Sequence, residues 1–225
     1  MPDRVVPTDF FEEKDMALIP LDVLIPFFIA ALILALSPGP DNLFVIAQSA
    51  MHGKTAGLLV TLGLCTGLVV HTTAVALGVA AVFKASSMAF TVLKILGASY
   101  LFYLAAQAFR SVPSAVKKKE SASLNLGKLY LRGIIMNITN PKVSIFFLAF
   151  LPQFADPARG SLAVQMVVLG NAFIAATILV FGAIALMAGT LGDWLVKSKR
   201  AQVVMNRVAG TVFAALAIKL LFTER

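Results

Sequence analysis

The sequence is short of the residues that most enzymatic and metal chemistry needs. Its one cysteine, Cys65, allows neither an internal disulfide nor a Cys-X-X-Cys redox pair. Two histidines, His52 and His71, are too few to build a His/Cys metal cluster. Neither His-Glu-X-X-His nor Gly-X-Ser-X-Gly occurs, which removes the signatures of an intramembrane zinc protease and a serine hydrolase. Charge is scarce too: 13% of residues are charged, against roughly 25% in an ordinary soluble domain. These shortages leave no enzyme and no cofactor to expect.

What the chain has in quantity is apolar surface. Of its 225 residues 59% are hydrophobic, and the mean hydropathy is +0.89. This is the composition of an integral membrane protein. The net charge of +8 then reads as Lys and Arg in cytoplasmic loops, not as a nucleic-acid surface. Residues 1–19 form a polar tail of mixed charge, without the basic stretch and short apolar core of a secretory signal.

A membrane helix needs about 20 mostly apolar residues. Six stretches meet this, at about 26–51, 55–83, 88–109, 129–151, 161–191 and 208–222. The fold expected is all-α: a polytopic membrane protein whose single transporter domain covers 20–225. Residues 111–127 form a polar loop with the run Lys117-Lys118-Lys119, suited to a cytoplasmic face and anionic lipid. Eleven Lys and Arg collect in the loops of that side and seven on the other, which places both termini outside. Trp194, beside basic residues, reads as an interface anchor.

The first span is interrupted by Ser37-Pro38-Gly39-Pro40-Asp41-Asn42. Two prolines remove two backbone donors and stop a helix, and Pro40 suits the first turn of a new one. Such a break survives in a bilayer only where protein or a water-filled cavity satisfies the backbone. The fourth span carries a similar interruption, Asn137-Ile138-Thr139-Asn140-Pro141-Lys142. Pro40-Asp41 aligns with Pro141-Lys142, Gly63 with Gly170, and Lys94-Ile-Leu-Gly97 with Arg207-Val-Ala-Gly210. Two halves of three spans each, about 20–110 and 128–225, must then lie in opposite orientation. This is the inverted repeat of many transporters, whose substrate sites lie at discontinuous helices near the midplane.

The motifs SPGPDN, the HG-K-AG turn after it and NITNPKVSIFFLAFLPQF together resemble the lysine-exporter superfamily of bacterial amino acid exporters, the LysE/RhtB type. The likeness covers nearly the whole chain after residue 20. It implies a six-helix exporter of amino acids or close derivatives in the bacterial inner membrane, commonly driven by the proton gradient. Divalent cation exporters, which the same superfamily includes, are the alternative. The dispersed Asp41, His71 and Cys65 suit a hard or borderline cation poorly.

The chemistry of the breaks leads the same way. A zwitterion needs an anion for its ammonium and a cation for its carboxylate. Helix N-termini near Pro40 and Pro141 present free N–H groups to a carboxylate. Asp41 is suited to the ammonium and Lys142 to the carboxylate, with Ser37, Gly39, Asn42, Asn137, Thr139, Asn140 and Ser144 supplying neutral polar groups. Two plainer roles compete: Asp41 as a helix cap, and Asp41 with Lys142 as a mutual ion pair. Asp41 and His71 are the groups through which protons could couple to transport, although His71 is as well explained by a hydrogen bond to a neighbouring helix. Gln165 and Asn171 read as interhelical hydrogen-bonders, and Phe146-Phe147-Leu148-Ala149-Phe150 as packing or lipid contact. The oligomeric state is not readable, and a homodimer is left open.

Overall fold

The structure, a computed structural model, describes residues 17–37, 39–85, 87–111, 125–187 and 198–222. Those residues form eight α-helices: α1 (Leu21–Leu36), α2 (Pro40–His52), α3 (Lys54–Ala85), α4 (Ser87–Arg110), α5 (Leu126–Thr139), α6 (Pro141–Ile145), α7 (Leu162–Leu186) and α8 (Lys199–Phe222). After α6 the chain widens into a π-helical turn at Phe146–Phe150 and tightens into 3-10 turns at Leu151–Phe154 and Pro157–Arg159. The tail before residue 17, the Lys117–Lys119 run and Trp194 lie outside the described residues.

Both interruptions fall where the prolines put them. α2 and α6 each begin with proline in the first turn, where its missing N–H is one the helix would not have used. Each pair of half-helices is bent by more than 40°, α5 with its continuation by 51°. The break divides the first pair into 16 and 13 residues and leaves α5 with 14 before it, so both breaks sit near mid-length. Gly53, between α2 and α3, has φ 81°, a value that favours a residue without Cβ and lets the chain reverse in one step.

Among the described residues three helices are long and apolar enough to cross a membrane: the 54–78 part of α3, α7, and 202–222 of α8. There are five such spans if each bent pair counts as one. α4, at 24 residues and with Lys94 and the terminal Arg110 as its charged residues, has the length of a further span. α8 starts at Lys199, well before the expected position 208. Its opening KRAQVVMN holds neither glycine nor proline, so the basic segment continues the helix instead of looping.

α3 packs against α5 and α7, and α4 against α8. Gly63 lies beside Gly133 and Gly67 beside Asn137, so α3 and α5 run parallel. Gly57 approaches Ala185 while Thr72 meets Gly170, so α3 and α7 run antiparallel. By the same logic Gly97 with Leu220 and Gly210 with Phe109 make α4 and α8 antiparallel. The glycines permit these approaches: a Cβ on Gly133 would stand 2.6 Å from the Val60 carbonyl oxygen.

The main core gathers Phe27, Phe146, Phe147, Phe150, Met166, Leu169 and Phe173 with side chains of α4 and α8. Phe146 stacks within 4.7 Å of Phe150 and 5.3 Å of Phe173. The Phe-rich run is thus packing, with Leu148 alone of its large residues turned outward. Leu21, Ile25, Leu62, Leu77, Leu179 and Phe222 are among many large apolar side chains on the outside, an arrangement that needs hydrocarbon around it.

Candidate functional site

The two breaks meet. The Lys142 ammonium lies 3.2 Å from where a Cβ on Gly39 would be, and the Asn137 amide reaches Asp41 Oδ2 at 3.5 Å. Between them is a narrow pocket lined by Leu34, Ala35, Asp41, Asn42, Asn137, Lys142, Val143, Phe173, Thr177 and Phe181. Its free space is about that of one water molecule.

The backbone freed by the first break is satisfied largely by side chains. Lys142 Nζ donates to the carbonyl oxygens of Leu34 at 3.1 Å and Ser37 at 3.0 Å. Asn42 Nδ2 donates to Ala35 O at 2.7 Å. The last turn of α1 is thus capped by an ammonium from the other half of the chain, favourable at the negative end of a helix dipole. At the second break, Asn140 Oδ1 accepts from the Lys142 backbone N–H and Ser144 donates to Asn140 O at 3.1 Å. His71 Nε2 donates to the Asn137 carbonyl at 3.2 Å.

Several side-chain atoms here are buried without a hydrogen-bond partner: Asp41 Oδ1, Asn42 Oδ1, Asn137 Oδ1 and Asn140 Nδ2. The first three are acceptors on residues that line the pocket. Asp41 and Lys142 face the same small space, yet among the described residues no ion pair joins them. Lys142 spends two of its three donors on α1. An acceptor-rich wall that includes one carboxyl group, opposite an amine anchored to backbone, suits a small group carrying both an ammonium and a carboxylate.

Of the residues singled out in the sequence, Asp41, Asn42, Asn137 and Lys142 line the pocket. Ser37 and Gly39 shape its edge, Ser37 through its carbonyl. Asn140 caps α6, and Ser144 bonds back to its own helix. Thr139 is exposed and bonded to Ile135 O at 2.8 Å, away from the pocket; Pro40 and Pro141 are exposed helix starts. His71 makes the interhelical bond and packs 5.5 Å from the Phe147 ring. Gln165 does not bridge helices: it clamps the loop beneath it, donating to Asp156 O at 2.8 Å and accepting from Asp156 N at 2.9 Å. Asn171 is exposed on α7.

Sequence reasoning missed the α7 wall. Phe173, Thr177 and Phe181 follow one another at four-residue spacing, so they share one helix face. That periodicity was readable, but nothing in the sequence showed which face of α7 looks at the breaks. Among the described residues no group of three or more His, Cys, Asp or Glu side chains gathers as a metal site.

Comparison with known proteins identifies the family. A family model described as LysE type translocator matches residues 32–224. A homoserine/homoserine lactone efflux protein of Salmonella typhimurium is 31% identical over 187 residues, covering 83% of this chain and 90% of the relative. An uncharacterized membrane protein of Vibrio cholerae is 30% identical over 193 residues, 86% of this chain and 93% of its own length. A leucine efflux protein of Salmonella choleraesuis is 26% identical over 195 residues, 86% of this chain and 92% of the relative. No solved structure matches. With its breaks, its lipid-facing exterior and a match over nearly its whole length, the chain is a multi-pass membrane protein and belongs to the LysE type translocator family.

Proposed function

We propose that this protein exports amino acids or close derivatives across the bacterial inner membrane, as a translocator and not a catalyst. The observation that carries the reading is the meeting of two proline-broken helix pairs near their mid-length, with Asp41 and Lys142 on one pocket. A substrate ammonium has three N–H donors, and the pocket offers three orphaned acceptors on Asp41, Asn42 and Asn137. A substrate carboxylate would take a proton of the Lys142 ammonium not used on α1. The efflux proteins named among the relatives support the same substrate class.

The mechanism proposed is alternating access between two inverted halves, driven by the proton gradient. The narrowness of the pocket is in keeping with it, because an amino acid is larger than the free space and would enter by a rearrangement of the lining. The antiparallel pairing of α3 with α7 and of α4 with α8 is what a two-fold axis in the membrane plane requires of equivalent helices. On this reading α4 is the sixth span, covered by α8 and the π-helical turn. Asp41 is the proposed proton-coupling group, since exchange of a proton for a substrate ammonium needs one carboxylate that meets both.

Counterflow in proteoliposomes against a panel of labelled amino acids, with and without a pH gradient, tests the proposal. Amino acid counterflow that responds to the gradient is the expected result. Transport of a divalent cation with no amino acid counterflow would overturn it.

A further inference from the structure

Among the described residues three threonines are buried, Thr61, Thr72 and Thr177. A threonine inside an apolar helix ordinarily hydrogen-bonds its own backbone one turn back. Thr61 does so with Gly57 O at 2.9 Å and Thr72 with Leu68 O at 2.8 Å. The partly or fully exposed Thr66, Thr73 and Thr139 do the same. Thr177 does not. Its side chain is 2% exposed, makes no hydrogen bond among the described residues, and lines the pocket between Phe173 and Phe181.

We infer that Thr177 is the specificity-determining residue for the substrate side chain, and that it reads an uncharged hydrogen-bonding group such as a hydroxyl. The inference rests on the amino acid reading above and deepens it. The charged and amide groups of the pocket all come from the broken helices, which leaves the α7 wall for the rest of the substrate. That wall is two phenyl rings and one hydroxyl. It has no charge with which to neutralise a basic or acidic side chain, and an unpaired ionic group there would be costly. It has one free donor and acceptor, and a site that hydrogen-bonds a substrate hydroxyl discriminates against the analogue lacking it. A purely structural threonine would bond its own helix, as the other two buried threonines do.

The test is competition in proteoliposome counterflow between 2-amino-4-hydroxybutyrate and 2-aminopentanoate, which differ by hydroxyl against methyl. The wild type is expected to favour the hydroxylated substrate. Thr177→Val, which keeps the shape, is expected to lower that preference by about fivefold, the worth of one neutral hydrogen bond. Thr177→Ser is expected to restore it, and lysine is expected to compete poorly in all three. A preference unchanged by Thr177→Val in an active transporter would overturn this inference alone. A wild type that exchanges no amino acid would overturn it together with the proposed function.

Discussion

Asp41 and Lys142 share a pocket without closing on each other, and this fixes what each substitution should do. Asp41 has one buried oxygen with no hydrogen-bond partner, while the other meets the Asn137 amide at 3.5 Å. Asp41→Asn keeps the shape and removes the charge, so transport is expected to fall by about tenfold or more, the worth of a charge-assisted bond, with membrane insertion unchanged. Near-normal counterflow in that variant would reduce Asp41 to a cap on α2. Lys142 has a second, structural task. Lys142→Met strands the Leu34 and Ser37 carbonyls, each lost partner being worth roughly 1–3 kcal/mol when the group stays buried. A lowered melting temperature in detergent is the expected result, in addition to lost transport. The sequence marked both residues, because an ionic group inside an apolar span stands out. It could not reveal that Lys142 reaches back across the break, since that depends on how the halves dock.

At the scale of helices, the glycines of α3 sort into those that touch a neighbour and those that do not. A Cβ at Gly63 would stand 3.0 Å from Gly133 Cα, and one at Gly67 would stand 2.7 Å from the Asn137 side chain. Gly63→Ala is expected to destabilise by about 1–3 kcal/mol, the range for overpacking, as read by thermal unfolding. Gly67→Ala is expected to weaken transport as well, because Asn137 is a pocket residue. Gly78 has nothing within 4 Å, so Gly78→Ala is expected to be neutral or stabilising. The helix breaks were legible because proline acts through the local backbone. The start of α8 was not, because a run such as KRAQVVMN resembles a basic loop by charge and a helix by propensity. The side of α7 facing the pocket was hidden for a different reason: α7 is apolar all round, so its sequence has no dominant face.

Across the whole molecule, one face gathers the ends of α4 and α7 and the starts of α5 and α8. The other gathers Leu18, Gly160 and the end of α8. From the Lys and Arg bias we propose that the first face is the cytoplasmic one. With Cys65 replaced, single cysteines at positions 118 and 198 are expected to react with an impermeant thiol reagent only from the cytoplasmic side. Labelling from outside would reverse the orientation. Composition alone made the membrane class legible, and the spacing of the two proline breaks suggested a pseudo-symmetric pair of halves. The packing of those halves had to come from coordinates, since apolar spans of similar composition do not encode their neighbours.

The ammonium of Lys142 and the carbonyls it grips belong to opposite halves of the protein. On the proposed alternating-access reading, a motion that parted the halves would break that grip and leave the Leu34 and Ser37 carbonyls without their donor. Lipid tails offer none, so water would have to follow the motion inward until the grip re-formed. Each opening, whichever face it served, would then be a brief wetting of the protein's interior.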